Sequence, residues 1–195
     1  MTAIGKWVIQ PPRKALVVGV ADMVVSNDSS AELVTYSLGS CLGITVYDPV
    51  RKIGGLLHIM LPESKIDAAK AVSTPLMFVD TGVPRLFQAV CNLGAERSRL
   101  AVKVAGGAHL LDEQGIFNIG ERNANALRSL LARNGYAIHA WDVGGLSSRT
   151  LRLNLTTGEV TIKPPGNNTY LICLLTNWLP KSKTCLPSLT RRSSW

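Results

Sequence analysis

The segment from Leu42 to Leu61 constrains the fold most. Two runs rich in strand-forming residues, Leu42 to Tyr47 and Ile53 to Leu61, flank Asp48-Pro49-Val50-Arg51-Lys52. Proline presets the backbone angle of a turn's first central position, so this pattern predicts a β-hairpin. With Pro49 to Lys52 as its loop, Asp48 faces Ile53, and the continued register sets Gly43 opposite His58. Side chains alternate along a strand, so Cys41 then lies diagonal to His58 on the same face of the sheet. A slip of one residue would turn His58 to the other face. Gly54-Gly55 is a place where a bulge could introduce such a shift.

The rest of the chain reads as strands with two helices among them. Ala15 to Val25 is read as one buried strand, and a second begins at Glu32. Leu100 to Ala105, Tyr136 to Val143, and the pair Thr150 to Leu155 and Glu159 to Lys163 complete the set. Leu76, Val79, Val83, Leu86, Phe87 and Val90 recur at helical spacing, with Pro84 placing the helix start about one turn upstream and Gly94 as its stop. Glu121 to Asn134 carries Ala124, Leu127, Leu130 and Leu131 on one face, with Gly135 as C-terminal cap. The pattern predicts a single layer-packed α+β domain, mostly antiparallel in its sheet or sheets, with about two main helices.

A chain of 195 residues that is 46% hydrophobic and 17% charged has the composition of a folded protein rather than a disordered one. The expected division is a leader over 1–14, a domain over 15–163 and a flexible tail over 164–195. Half of the formal charge of +8 comes from the tail, through Lys181, Lys183, Arg191 and Arg192. A basic surface fits nucleic acid, anionic lipid or an acidic protein, but no nucleic-acid-binding motif accompanies the charge. Residues 1–14 lack the pattern of a signal peptide, and the apolar run Ala15 to Ala21 is far too short to span a bilayer. A cytoplasmic protein without membrane insertion is expected. Cys41, Cys91, Cys173 and Cys185 are spaced neither as a disulfide framework nor as a zinc site, and Cys91 falls within the apolar face of a helix.

Leu38-Gly39-Ser40-Cys41 places two small residues directly before a thiol at the start of a strand, where backbone amides can be left facing a reactant. A histidine beside a cysteine can take its proton or pair with the thiolate, and can return that proton to a departing amine. Thr35, on the preceding extended segment, is placed to orient the imidazole of His58 as the third member of a Cys-His-Thr set. Ser40 and Gly39 are the candidates for oxyanion stabilisation or substrate positioning, together with the Cys41 amide. On spacing alone, a cysteine near a histidine in a hairpin is more often core packing than a catalytic pair. Metal binding by the two lacks further ligands at a recognisable spacing, and no cofactor is called for.

The stretch Leu38-Gly39-Ser40-Cys41-Leu42-Gly43-Ile44-Thr45-Val46-Tyr47-Asp48, followed by Gly54-Gly55-Leu56-Leu57-His58-Ile59-Met60-Leu61-Pro62, closely resembles the CheD family of chemoreceptor glutamine deamidases. Further matches follow in order: Val18 to Met23, Asp80-Thr81, Lys103-Val104 with Gly106-Gly107-Ala108, Ile119 to Asn123, and Asp142 to Gly145. The resemblance implies a cysteine-dependent protein-glutamine glutaminase acting through Cys41, His58 and Thr35. Its implied substrate is the cytoplasmic helical hairpin of methyl-accepting chemotaxis proteins, whose glutamines become glutamates in adaptation. A CheC-type phosphatase is an implied further partner. The alternative is a non-catalytic module that binds receptor or CheC. His109 and Leu146-Ser147-Ser148 depart from the family pattern, and neither lies in the proposed set.

Overall fold

The computed structural model describes residues 13–109, 118–166 and 168–172. Two five-stranded mixed sheets stack face to face, and helices cover the outer face of one. The first sheet has the order β1 (Lys14–Val17), β3 (Ala31–Leu38), β8 (Arg149–Asn154), β9 (Val160–Lys163) and β10 (Tyr170–Leu171). The second runs β2 (Asp22–Ser26), β5 (Ile53–Ile59), β4 (Leu42–Asp48), β6 (Ala101–Gly106) and β7 (Ile138–Val143). The pairs β1–β3 and β6–β7 are parallel, and the other pairs are antiparallel. Besides the short α1 (Ala68–Ser73), the helices are α2 (Val79–Asn92) and α3 (Ile119–Arg133). This is the layered α+β domain the sequence predicts.

The central hairpin holds both apolar layers. β4 and β5 are buried at every position, because alternate residues face a helix on one side and the other sheet on the other. Ile44, Leu57 and Ile59 pack with Val83, Leu86 and Leu127 from α2 and α3. Leu56 and Tyr47 instead join Leu33, Leu38, Leu151 and Leu153 between the sheets. The register runs without a break from Asp48↔Ile53 to Leu42↔Ile59, so Gly54 and Gly55 form no bulge. They are needed for closeness: a Cβ at Gly54 would come within 2.5 Å of Leu155 Cδ2, and one at Gly55 within 2.7 Å of Leu86 Cδ1.

One expected element divides in two. Ala15 to Val25 is not a single buried strand: β1 pairs with β3 in one sheet, and β2 pairs with β5 in the other. Between them the chain turns through Ala21 at φ 54°, and Asp22 accepts from the amides of Gly19 and Met23. Only Asp22 interrupts the apolar sequence from Ala15 to Val25, which is why it reads as one strand. α1 and β10 were not expected, since a six-residue helix and a two-residue strand are too short to show periodicity. β10 pairs with β9, and Tyr170 donates from its hydroxyl to Asp142 Oδ2 at 2.7 Å. Burial and this carboxylate push the Tyr170 phenol up to about 12. Residues 1–12 of the expected leader and 173–195 of the expected tail, with Cys173 and Cys185, lie outside the described residues.

Candidate functional site

His58 lies in β5 between two partners, Gly43 on β4, as the hairpin register requires, and Asp22 on β2. Its main-chain carbonyl accepts from Ala21 N–H at 2.9 Å. The side chain is 2% exposed and reaches across the gap between the sheets to Thr35 on β3. Thr35 Oγ1 stands 2.8 Å from His58 Nδ1 and donates to the Val18 carbonyl at 2.9 Å. A threonine hydroxyl has one proton to give. With that proton on Val18, the contact to Nδ1 must be an N–H donated by histidine, which assigns the proton of a neutral ring to Nδ1. Nε2 then carries the lone pair, and it is buried with no hydrogen-bond partner among the described residues.

Thr35 faces inward by alternation with Leu33, and a bulge follows it. The β3–β8 register shifts between Thr35 and Leu38, where Ser37 takes the left-handed conformation at φ 55°. Plain alternation would send residues 35 and 38 to opposite faces. The inserted residue lets both point inward, and both are wholly buried.

Cys41 directly precedes β4 and packs against the cluster between the sheets, the side on which Thr35 meets His58. The space over Gly43 is filled, since a Cβ there would lie 2.7 Å from Leu151 Cδ2 and 2.8 Å from Leu38 Cδ1. Three successive carbonyls before the strand are held. Gly39 O accepts from Ala108 N–H and Cys41 O from Gly107 N–H, both at 2.8 Å. Ser40 O accepts from the Asn123 side chain at 3.2 Å. Because C=O and N–H point oppositely in a trans peptide, pinning these oxygens aims the amides of Ser40, Cys41 and Leu42 the other way. Gly106 is required at this approach: its φ is 117°, and a Cβ would fall 2.2 Å from Cys41 O.

Burial dominates the electrostatics. It pushes the half-buried Cys41 thiol up, against a smaller opposing pull from the residue's own amide. It holds the His58 imidazole below its ordinary value of 6.5. Both shifts favour the uncharged pair of thiol and imidazole over thiolate and imidazolium. A neutral imidazole with a free Nε2 is equipped to accept a proton as a thiol attacks.

Asn123 and Ala108 belong to stretches that resemble the family, yet sequence reasoning gave them no role. Their contacts are to the main-chain oxygens of Ser40 and Gly39, which no side-chain pattern reports. Of the other histidines, His139 accepts from Val102 N–H through Nδ1 at 3.1 Å, where the β6–β7 register shifts, and so completes a ladder. His109 is half-buried, and its amide donates to Gly145 O at 2.9 Å. Leu146, in a departing stretch, is 80% exposed. Among the described residues, no three His, Cys, Asp or Glu side chains converge as a metal site would require, and no helix is long and apolar enough to cross a membrane.

Comparison with known proteins bears on this arrangement. Residues 60–164 match the family model described as CheD chemotactic sensory transduction. The chain is 46% identical over 151 residues to the probable chemoreceptor glutamine deamidase CheD 1 of Syntrophus aciditrophicus, covering 77% of this chain and 94% of that protein. The chain belongs to the CheD family. A probable chemoreceptor glutamine deamidase CheD of Solibacter usitatus is 45% identical over 157 residues, with 80% and 93% of the two chains covered. One of Desulforamulus reducens is 44% identical over 153 residues, with 77% and 90% covered. The CheD family model begins just beyond His58, so Thr35, Cys41 and His58 all lie upstream of it, with Thr35 and His58 in contact and Cys41 on the same side of its sheet as His58.

Proposed function

We propose that this CheD protein deamidates glutamine side chains of methyl-accepting chemotaxis proteins, with Cys41 as nucleophile, His58 as general base and acid, and Thr35 as the residue that orients the imidazole. The observation that carries the reading is the buried Thr35–His58 hydrogen bond, which leaves Nε2 unprotonated and, among the described residues, without a partner. The relatives' names, which specify chemoreceptor glutamine deamidases, supply the substrate class.

In the proposed reaction Nε2 takes the Cys41 proton as sulfur attacks the carboxamide carbon. The resulting oxyanion is met by the Cys41 amide, with that of Ser40 beside it. His58 returns the proton to nitrogen, ammonia leaves, and a thioester remains. Water then gives a proton to Nε2 while its oxygen attacks the thioester. Collapse of that second intermediate frees glutamate and restores the thiol. The neutral resting pair favours transfer in concert with attack over a preformed ion pair. On this reading the new glutamates serve adaptation in the cytoplasm, and a CheC-type phosphatase is a further partner on the family resemblance.

The test is incubation of the unmodified chain with the cytoplasmic fragment of a chemoreceptor, following ammonia release and the amide-to-acid mass change of individual glutamines. Stoichiometric ammonia and glutamate are expected. A fragment that binds tightly yet keeps all its glutamines would overturn the catalytic reading in favour of a docking module.

A further inference from the structure

Asn123 lies in the second turn of α3 and is wholly buried. Its Nδ2 donates to two carbonyls at once, Met60 O at 2.8 Å and Ser40 O at 3.2 Å. Both partners are acceptors only, so the amide must present its nitrogen to them. The other end of the amide, Oδ1, is buried with no partner among the described residues. A group that contributed only packing would be served by an apolar side chain of similar size, without this orphaned oxygen. The NH2 group, by contrast, does something an apolar side chain cannot. It joins the residue before Cys41 to the residue two beyond His58.

The helix is brought close for this purpose. At Gly120, one turn before Asn123, a Cβ would sit 2.5 Å from the Gly107 carbonyl. Gly107 in turn donates its amide to Cys41 O. α3 thus abuts the strand end that holds one side of the thiol's backbone, while Asn123 holds the other. Of the three pinned carbonyls, Ser40 O is the one in the same peptide as the Cys41 N–H.

Taking the Cys41–His58 reading as its basis, we infer that Asn123 is a positioning residue: by holding Ser40 O, it aims the Cys41 amide at the oxyanion that forms on the substrate. It does not touch substrate and takes no proton. The Thr35–His58 bond and the β4–β5 register are made without it. Its loss therefore weakens transition-state stabilisation, while the burial that dominates the ionisation of the thiol stays in place.

That separation gives the test. Asn123→Ala is compared with the unmodified chain in two assays: deamidation of a chemoreceptor cytoplasmic fragment, and alkylation of Cys41 by iodoacetamide across pH, which needs no oxyanion donor. Loss of a single oxyanion donor costs roughly 100- to 1,000-fold in kcat, so a misaimed donor is expected to lower kcat by about 10- to 100-fold. KM and the alkylation midpoint should hardly change. A kcat within about twofold of the unmodified chain, or alkylation and deamidation falling together, would overturn the inference. Should Asn123→Ala fail to fold, Asn123→Asp keeps the shape but faces two carbonyls with a carboxylate, and the same split is expected of it. An experimental structure of the unmodified chain is an independent check, and an Asn123 side chain turned away from Ser40 O overturns the inference whatever the variants do. Cys41→Ala run in parallel keeps the two levels apart. If it deamidates normally the underlying reading fails, whereas if it is inert and Asn123→Ala is unimpaired only the role of Asn123 fails.

Discussion

Thr35 and His58, on different sheets, are joined by a buried 2.8 Å hydrogen bond in which the histidine is the donor. The direction follows from a third group, the Val18 carbonyl, which takes the only proton Thr35 has. One threonine hydroxyl thereby sets the tautomer and the ring orientation, leaving Nε2 as the nitrogen that can act as a base.

Removing that acceptor should be costly in both activity and stability. Thr35→Val keeps the volume but leaves Nδ1–H and the Val18 carbonyl unpaired, at about 1–3 kcal/mol each for a buried polar group. We expect kcat to fall about 10- to 100-fold, equivalent to roughly 1.4–2.8 kcal/mol of barrier. Thr35→Ser should retain most of the rate. Steady-state kinetics on a receptor fragment checks both.

The pH profile follows from burial. His58 must be neutral to accept the thiol proton, and its folded value is lowered from 6.5. The acidic limb of kcat/KM should accordingly fall below pH 6.5, the ordinary histidine value. The Cys41 thiol is raised, so iodoacetamide alkylation should increase only above the pH at which an ordinary thiol titrates, about 8.5. The stability linked to His58 carries the same sign. It is complete above the unfolded value and is lost as pH falls through the folded one.

Gly106→Ala would test how closely the nucleophile's backbone is held. Its Cβ meets the Cys41 carbonyl rather than a flexible side chain, and its φ of 117° suits only glycine. A loss of at least about 2 kcal/mol by denaturant unfolding is expected, with activity falling further than stability. Gly43→Ala meets only the ends of Leu38 and Leu151. It should be the milder of the two.

At the far end of the hairpin, Asp48 is buried and accepts from the amides of Val50, Arg51 and Glu96 and from the Arg99 guanidinium. Burial alone would raise its pKa, but Arg99 and the three amides together hold it well below the usual carboxylate range. Asp48→Asn turns an acceptor into a donor against this set and should cost about 3 kcal/mol. In the unmodified protein the stability contributed by Asp48 is complete above the ordinary carboxylate value. It should be lost as pH falls toward the folded one, which thermal melts across acidic pH would show.

The hairpin and its register were legible because a proline-led turn and strict alternation leave few ways to pair Leu42–Asp48 with Ile53–Ile59. That register puts Gly43 opposite His58, and so places Cys41 on the same side of the sheet as the imidazole. The resemblance marked Thr35, which shares the inward face of Leu33, while the bulge at Ser37 that turns Leu38 inward as well depends on tertiary fit and has no signature in the sequence. The crossing between β1 and β2 was hidden by an apolar sequence that only Asp22 interrupts, although it supplies the Val18 carbonyl on which the histidine tautomer depends. Asn123 stands in a quoted motif, but its partners are main-chain oxygens brought near by folding, and no side-chain pattern reports them.

The most direct test of the central claim is the rate at which Cys41→Ala converts the target glutamines of a chemoreceptor fragment, read by peptide mass spectrometry beside the unmodified chain. The account predicts normal binding with conversion reduced to the background of the fragment alone. Conversion by Cys41→Ala at the unmodified rate would contradict it.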